Sequence, residues 1–199
     1  MITHGLFPTP VSFFMINREI TKFESKFIEG QPRFPNEGNE TSSNRNILSS
    51  KAMTSIRAFI ETSLEEYVKN IYATKNDTKF KITQSWLNFT EVGQFHHKHA
   101  HPNSFLSGVF YPKTNPDDKI YFYKDGYPQI ELLSETFNVY NSKSWWLSAA
   151  TGQLVIFPSS LQHMVERAKG PDTRISLSFN SFPTGYIGNE TSLTRLDIE

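Results

Sequence analysis

The chain has 199 residues, enough for one domain with a sizeable core, and its 20 basic and 20 acidic residues cancel. A net charge of zero gives no field favouring nucleic acid or an anionic membrane surface. There is no cysteine, which excludes disulfides, zinc–thiolate sites and thiol nucleophiles and fits a reducing compartment, with the cytoplasm as the expectation.

Residues 6–16 are apolar but broken by Pro8 and Pro10, and no basic stretch precedes them, so no secretory signal is expected. No apolar run approaches the roughly 18 residues of a membrane span. Without a secretory route, the sequons at Asn39, Asn76, Asn88 and Asn189 are chance matches.

Residues 11–15 predict a short edge strand. Residues 17–27 carry a weak helical pattern, with Ile20, Phe23 and Phe27 on one face. Residues 30–50 are polar, rich in Asn, Ser, Pro and Gly, and predict a long surface loop. The clearest helix is 47–72, where Ala52, Ile56, Phe59, Ile60, Leu64, Tyr67, Val68 and Ile71 form a core-facing stripe.

After Asp77 the period changes to that of strands, predicted at 79–90, 104–111, 119–123, 136–140, 153–157, 163–168 and 174–182. Turn signals separate them: Asn115-Pro116, Asp125-Gly126, Gly152, Pro158 and Gly170-Pro171. The 17 Phe, 8 Tyr and 3 Trp suit a β-rich core. The class is mainly β, a sandwich or barrel with N-terminal helices packed on one sheet. The expected layout is one domain: helical support over 1–78, a β-barrel core over 79–182 and a C-terminal tail over 183–199.

Four of the six histidines fall in Gly93-Gln-Phe-His-His-Lys-His-Ala-His101. Imidazole is the commonest metal ligand near neutral pH. Residues i and i+2 of a strand share a face, so His99 and His101 can aim at one ion. His163, after a strand–turn segment, is the natural third ligand. A shifted pair, His97 with His99, stays open; His96 and His97 are less favoured, and His4 reads as a plain surface residue. Such a set, two ligands from one strand and one from another, leaves open positions of the kind a redox-active divalent metal needs.

The strand from Arg174 alternates. Arg174, Ser176, Ser178 and Asn180 share one face; Ile175, Leu177 and Phe179 share the other. A polar face with a guanidinium is either a surface edge or, inside a barrel, a ligand site, since such burial is costly unless something is bound. A guanidinium matches a carboxylate bidentately.

In chain order, Leu6-Phe-Pro-Thr-Pro-Val11, Trp86-Leu-Asn88, His99-Ala-His101-Pro102, Leu106-Ser-Gly-Val-Phe-Tyr111, Gly152-Gln-Leu-Val-Ile-Phe-Pro158 with His163, and Arg174-Ile-Ser-Leu-Ser-Phe-Asn180 resemble the iron(II)- and 2-oxoglutarate-dependent oxygenases, in the branch related to prolyl hydroxylases. The resemblance implies a double-stranded β-helix, the jelly-roll or cupin-like barrel. It implies Fe(II) held by His99, His101 and His163, and 2-oxoglutarate as co-substrate with Arg174 on its distal carboxylate. By position, Tyr111 and Ser178 would bond that carboxylate, and Asn88 would lie near the end that chelates iron. No catalytic residue is expected beyond the metal centre.

The sequence departs from the usual two histidines and one carboxylate, because His101 stands at the carboxylate position. A neutral imidazole there makes the ferrous site more positive by one charge, or else His101 lies outside the ligand set. The primary substrate is not legible; the kinship suggests a peptidyl residue, by analogy alone. Residues 125–144 with Trp145-Trp146 are candidates for the rim of the site, and 30–50 for a lid. Two rivals stand beside this reading. One is a cupin-type metalloprotein that does not use 2-oxoglutarate, suggested by the spacing of Gly93, His99 and His101 and of Gly152, Pro158 and His163. The other is a non-catalytic barrel module.

Overall fold

A computed structural model describes residues 1–126, 130 and 132–199. In chain order the strands are β1 (Ser12–Met15), β2 (Arg33–Pro35), β3 (Glu40–Ser42), β4 (Thr78–Thr90), β5 (His96–His99), β6 (Leu106–Lys113), β7 (Lys119–Tyr123), β8 (Ser144–Ser148), β9 (Gln153–Pro158), β10 (His163–Val165), β11 (Arg174–Ile187) and β12 (Leu196–Ile198). The α-helices are α1 (Lys22–Glu29) and α2 (Thr54–Tyr67).

The longer sheet runs β1-β9-β6-β11-β4-β3-β2, with β12 on β11; the shorter runs β5-β10-β7-β8. Every named strand pair is antiparallel, and β4 with β11 is the longest ladder, from Arg174 opposite Thr90 to Gly185 opposite Thr78. The two sheets face each other across Val109, Tyr111, Val155 and Phe157 from one side and Ile120, Phe122 and Leu147 from the other. The Phe122 and Phe157 rings meet edge to face at 5.1 Å. This is the jelly roll that the family resemblance implies, within the sandwich-or-barrel class that the strand pattern predicts.

The outer face of the longer sheet carries the second core. Leu87 and Phe89 of β4, Phe110 of β6, Leu154 and Ile156 of β9, and Ile175, Leu177 and Phe179 of β11 pack against Ile56, Ile60, Leu64 and Tyr67 of α2. Each such side chain contributes about 1.5–3 kcal/mol on burial. Gly108 sits in β6 because a Cβ there would collide with the Phe179 ring. Among the described residues no helix is long and apolar enough to cross a membrane.

Several boundaries differ from expectation. The first helix begins at Lys22 rather than residue 17, because Thr21 and Glu24 form a reciprocal capping box there and Asn17 has a φ of 52°. Residues 30–50 are not a plain loop: β2 and β3 form a hairpin that extends the longer sheet beside β4. The stripe of 47–72 holds, but short 3-10 turns precede α2 and a wider turn, Val68–Tyr72, follows it.

The strand expected at 136–140 is a turn, in which the Asn138 side-chain oxygen accepts from Tyr140 N at 2.8 Å. Its place beside β7 is taken by β8, which carries Trp145 and Trp146. The β-core does not end at 182, since β11 continues to Ile187 and β12 closes on it. Nor are residues 1–78 only helical support, since they supply β1, β2 and β3. Two sequon residues, Asn39 and Asn88, are buried.

Candidate metal centre

The strand β5 ends at His99, and β10 begins at His163, directly opposite it. His101 lies past the end of β5, where its backbone N–H donates to Ser159 O at 2.9 Å. The expected pair therefore converges, but through a turn after the strand rather than by strand alternation alone. The ligating atoms of His99, His101 and His163 lie within 4.8 Å of one another. The Nε2 atoms of His101 and His163 are 3.3 Å apart.

Each ring has its other nitrogen committed. His99 Nδ1 lies 2.8 Å from His97 O, His163 Nδ1 3.0 Å from Leu161 O, and His101 Nδ1 2.7 Å from the Asn180 side-chain oxygen. A carbonyl oxygen only accepts, so each Nδ1 carries the proton and each Nε2 keeps its lone pair. Burial, reinforced by the neighbouring histidines, pushes His101 down to about 4 and His163 well below its usual range; His99 is lowered by the same cause. All three are thus neutral near pH 7, the state that binds a metal. Three lone pairs with fixed ring planes fit a divalent ion that accepts imidazole.

The remaining histidines stay outside this set. His97 half-faces solvent with its Nδ1 3.8 Å from Glu37 Oε2, and it does not join the group formed by His99, His101 and His163. His96 stacks on His99 with centroids 4.6 Å apart, and burial pushes it down to about 3. His4 is exposed.

The expected co-substrate residues line the inner face of β4, β6 and β11. Arg174, Tyr111, Asn88 and Ser178 are all buried, at 2%, 0%, 2% and 6% exposure. Asn88 Nδ2 donates to Ser178 Oγ at 3.1 Å. The Arg174 guanidinium lies over the Tyr111 ring at 5.3 Å, its Nη1 reaches Lys119 O at 3.5 Å, and its Nε stands 3.8 Å from Asp118 Oδ2. The surface-edge alternative for Arg174 is therefore excluded.

Among the described residues, the buried side-chain polar atoms with no partner are Asn88 Oδ1, Tyr111 Oη and Arg174 Nε. Each such atom costs about 1–3 kcal/mol. Three of them on one lining mark a cradle built for a polar guest. Burial pushes the Tyr111 phenol up, with Arg174 partly opposing it, so it stays a donor at neutral pH.

Two residues went unassigned in the sequence. Asn180 orients His101, and its side-chain oxygen also accepts from Ser107 Oγ at 2.8 Å, while Ser107, Ser159 and Ser104 continue a chain of 2.8 Å contacts. Alternation had placed Asn180 on the polar face, but not its partner. Asp118 beside Arg174 carried no signal, because it lies in a turn that only the fold brings there.

A cavity of about 560 Å³ opens onto the imidazoles, lined among others by Arg45, Gln84, Trp86 and Asn180. Trp86 stacks on His101 with centroids 5.6 Å apart. The turn after β3 forms part of its wall, which places part of 30–50 at the mouth. Trp145 and Trp146 do not line it; Trp146 sits under Lys119 at 4.3 Å. Within the expected rim, residues 127–129 and 131 lie outside the described residues.

Residues 84–180 match a family model described as "Putative 2OG-Fe(II) oxygenase". No curated protein matches the chain in sequence. Among solved structures, HygX from Streptomyces hygroscopicus with nickel and 2-oxoglutarate bound is 11% identical, with a TM-score of 0.60 over 87% of this chain and 82% of that one. A Pseudomonas putida prolyl-4-hydroxylase is 13% identical, with a TM-score of 0.53 over 87% and 92%. A prolyl hydroxylase from Trichoplax adhaerens, in complex with a hypoxia inducible factor peptide fragment, is 12% identical, with a TM-score of 0.52 over 85% and 83%. At these identities the likeness is one of fold.

Proposed function

We propose that the chain, whose residues 84–180 match the 2OG-Fe(II) oxygenase family model, is an Fe(II)- and 2-oxoglutarate-dependent dioxygenase with His99, His101 and His163 as the metal ligands. The observation that carries this site is the pairing of three convergent imidazoles with three unpartnered polar atoms on the adjoining inner face. The cupin reading gives Arg174 no role and leaves those orphans unexplained.

Bound iron and 2-oxoglutarate would supply the oxidising power to hydroxylate a C–H bond with dioxygen. The chain's own part is positioning and exclusion of water. The Nδ1–H bonds of the three histidines fix the ring planes. Arg174, held beside Asp118, offers its fork to the distal carboxylate of the co-substrate. Tyr111 Oη donates to the same carboxylate, with Ser178 as its second hydroxyl.

Asn88 Nδ2 donates to Ser178 Oγ, which leaves the Ser178 hydroxyl proton free for that carboxylate, and Asn88 would stand near the chelating end. The all-imidazole set is neutral, so the ferrous charge balances the co-substrate dianion, and Arg174 is balanced by Asp118. That accounting makes His101 compatible with co-substrate binding.

A peptidyl residue or a small molecule is the proposed primary substrate. The cytoplasm, where reductants keep iron ferrous, is the proposed compartment.

Anaerobic Fe(II) with 2-oxoglutarate tests the reading without a primary substrate. Wild type is expected to develop the weak visible charge-transfer band of a chelated complex. His163→Ala should show no band, and Arg174→Ala should need roughly 10–100-fold more 2-oxoglutarate, the worth of a lost charge-assisted pair. Iron retention without any response to 2-oxoglutarate would hand the site to the cupin reading; no iron retention at all would leave a non-catalytic barrel.

A further inference from the structure

The cavity above the imidazoles is polar, and its chemistry is one-sided. Its lining holds the amides of Asn36, Gln84, Asn103 and Asn180, the indole of Trp86 and one guanidinium, that of Arg45, and no aspartate or glutamate among the described residues. A volume of about 560 Å³ suits a small molecule or one or two residues of a peptide.

Arg45 is built in rather than loose, although it faces solvent. Its backbone carbonyl accepts from Ser85 N at 2.8 Å, and Asn46 bridges to the same residue of β4, between Gln84 and Trp86. The turn is braced by Ser42 Oγ on Asn44 O at 2.7 Å and by Asn46 N on the Asn44 side-chain oxygen at 2.8 Å. The guanidinium donates through Nη1 to Thr41 Oγ1 at 3.2 Å, and Thr41 is itself anchored on Leu87 O at 3.0 Å. The Phe34 ring lies 5.0 Å beneath it.

Neither neighbour neutralises the charge. Among the described residues Arg45 has no carboxylate partner. Of the acids on the same segment, Glu40 faces Arg33 at 3.7 Å and Glu37 stands 3.8 Å from His97. A guanidinium oriented in advance loses little freedom when it binds a planar or tetrahedral oxyanion.

We propose that the primary substrate carries an oxyanion, a carboxylate or a phosphate, which Arg45 holds at the mouth of the cavity while the carbon to be oxidised lies over the imidazoles. The proposal rests on the oxygenase reading for its second half only. Arg174 and Arg45 then divide two anions between them, the co-substrate inside the barrel and the substrate at its mouth.

The test is calorimetric titration of the full chain, loaded with Ni(II) and 2-oxoglutarate, with inorganic phosphate, with N-acetylproline and with neutral N-acetylprolinamide. At least one oxyanion is expected to bind wild type about 10-fold more tightly than it binds Arg45→Ala, with Arg45→Lys retaining part of the difference. The amide should bind no better to wild type than to Arg45→Ala. Preference for phosphate assigns a phosphorylated substrate; preference for N-acetylproline assigns a carboxylate.

Equal affinity of wild type and Arg45→Ala for both oxyanions overturns the proposal, as does amide binding as tight as acid binding. Arg45→Ala should leave the 2-oxoglutarate charge-transfer titration unchanged, and a loss there would move Arg45 to the co-substrate and overturn it too. The phosphate titration repeated on metal-free protein separates the two readings, because binding sensitive to Arg45→Ala persists there even where the oxygenase reading fails.

Discussion

The two faces of β11 are buried to nearly the same degree and do opposite work. Ile175, Leu177 and Phe179 on the outer face are 3%, 0% and 0% exposed; Arg174, Ser178 and Asn180 on the inner face are 2%, 6% and 7% exposed. Burial does not separate them; satisfaction does. The outer face buries apolar atoms that need no partner and so contributes stability. The inner face buries polar atoms, some of them unpartnered, and so gives up stability to hold a guest.

Leu177→Ala is the largest way to break this division. Leu177 is fully buried in the outer core, and its truncation should cost about 2–5 kcal/mol. Urea unfolding measures the loss. The affinity for 2-oxoglutarate per folded molecule should stay within about twofold, since well-separated sites are nearly additive. A collapse of co-substrate binding in folded Leu177→Ala protein would mean that the two faces are not independent.

The buried imidazoles beside that inner face should carry the pH dependence of the metal-free protein near neutrality. His101 is held at about 4, below its usual 6.5, so the unfolded chain takes up its proton first as the pH falls. Stability is therefore level above about 6.5 and drops between 6.5 and 4, by about 1.4 kcal/mol per pH unit for each fully shifted histidine. His96, held at about 3, and His99 and His163 are shifted in the same direction. Melting curves at pH 7.5 and 5 check this: His101→Asn should shrink the difference between them, whereas Leu177→Ala should lower both alike.

The same contrast explains what the sequence disclosed. Alternation over β4 and β11 marks both faces, and β9 reads as a continuous apolar run, so these strands and the Arg174/Asn180 face were legible from residue order. The hairpin of β2 and β3 was not, because three-residue strands cannot display a period and gain their shape from β4. Residues 136–140 looked like a strand through their aromatic and branched residues, yet the Asn138 side chain closes a local turn there. His99, His101 and His163 were legible as a set from composition and spacing. The geometry that joins them was not, since His101 depends on Ser159 and Asn180, one distant in sequence and the other on another sheet.

Asn180→Ala sharpens that last point. It removes the acceptor of His101 Nδ1–H and frees the ring to turn or change tautomer. Affinity for Fe(II) under anaerobic dialysis should fall roughly 10–100-fold. Asn180→Asp, which keeps an acceptor, should recover most of it. Unchanged iron affinity in Asn180→Ala would remove His101 from the ligand set.

The smallest expected effect is the most discriminating. Tyr111→Phe deletes a buried hydroxyl that has no partner, while the ring that lies beneath Arg174 remains. Deleting a partnered hydroxyl destabilises a protein, whereas deleting an orphan relieves a desolvation cost. The metal- and co-substrate-free protein should therefore unfold at the same urea concentration as wild type or slightly above it, a gain of about 0–1 kcal/mol. Its affinity for 2-oxoglutarate should drop by about 3–10-fold, because the hydroxyl finds its acceptor only in the co-substrate carboxylate. Opposite signs in the two measurements are what a face built for a guest must give. A loss of stability without a loss of affinity would make the Tyr111 hydroxyl part of the scaffold, and the inner face of β6 would then belong with the outer one.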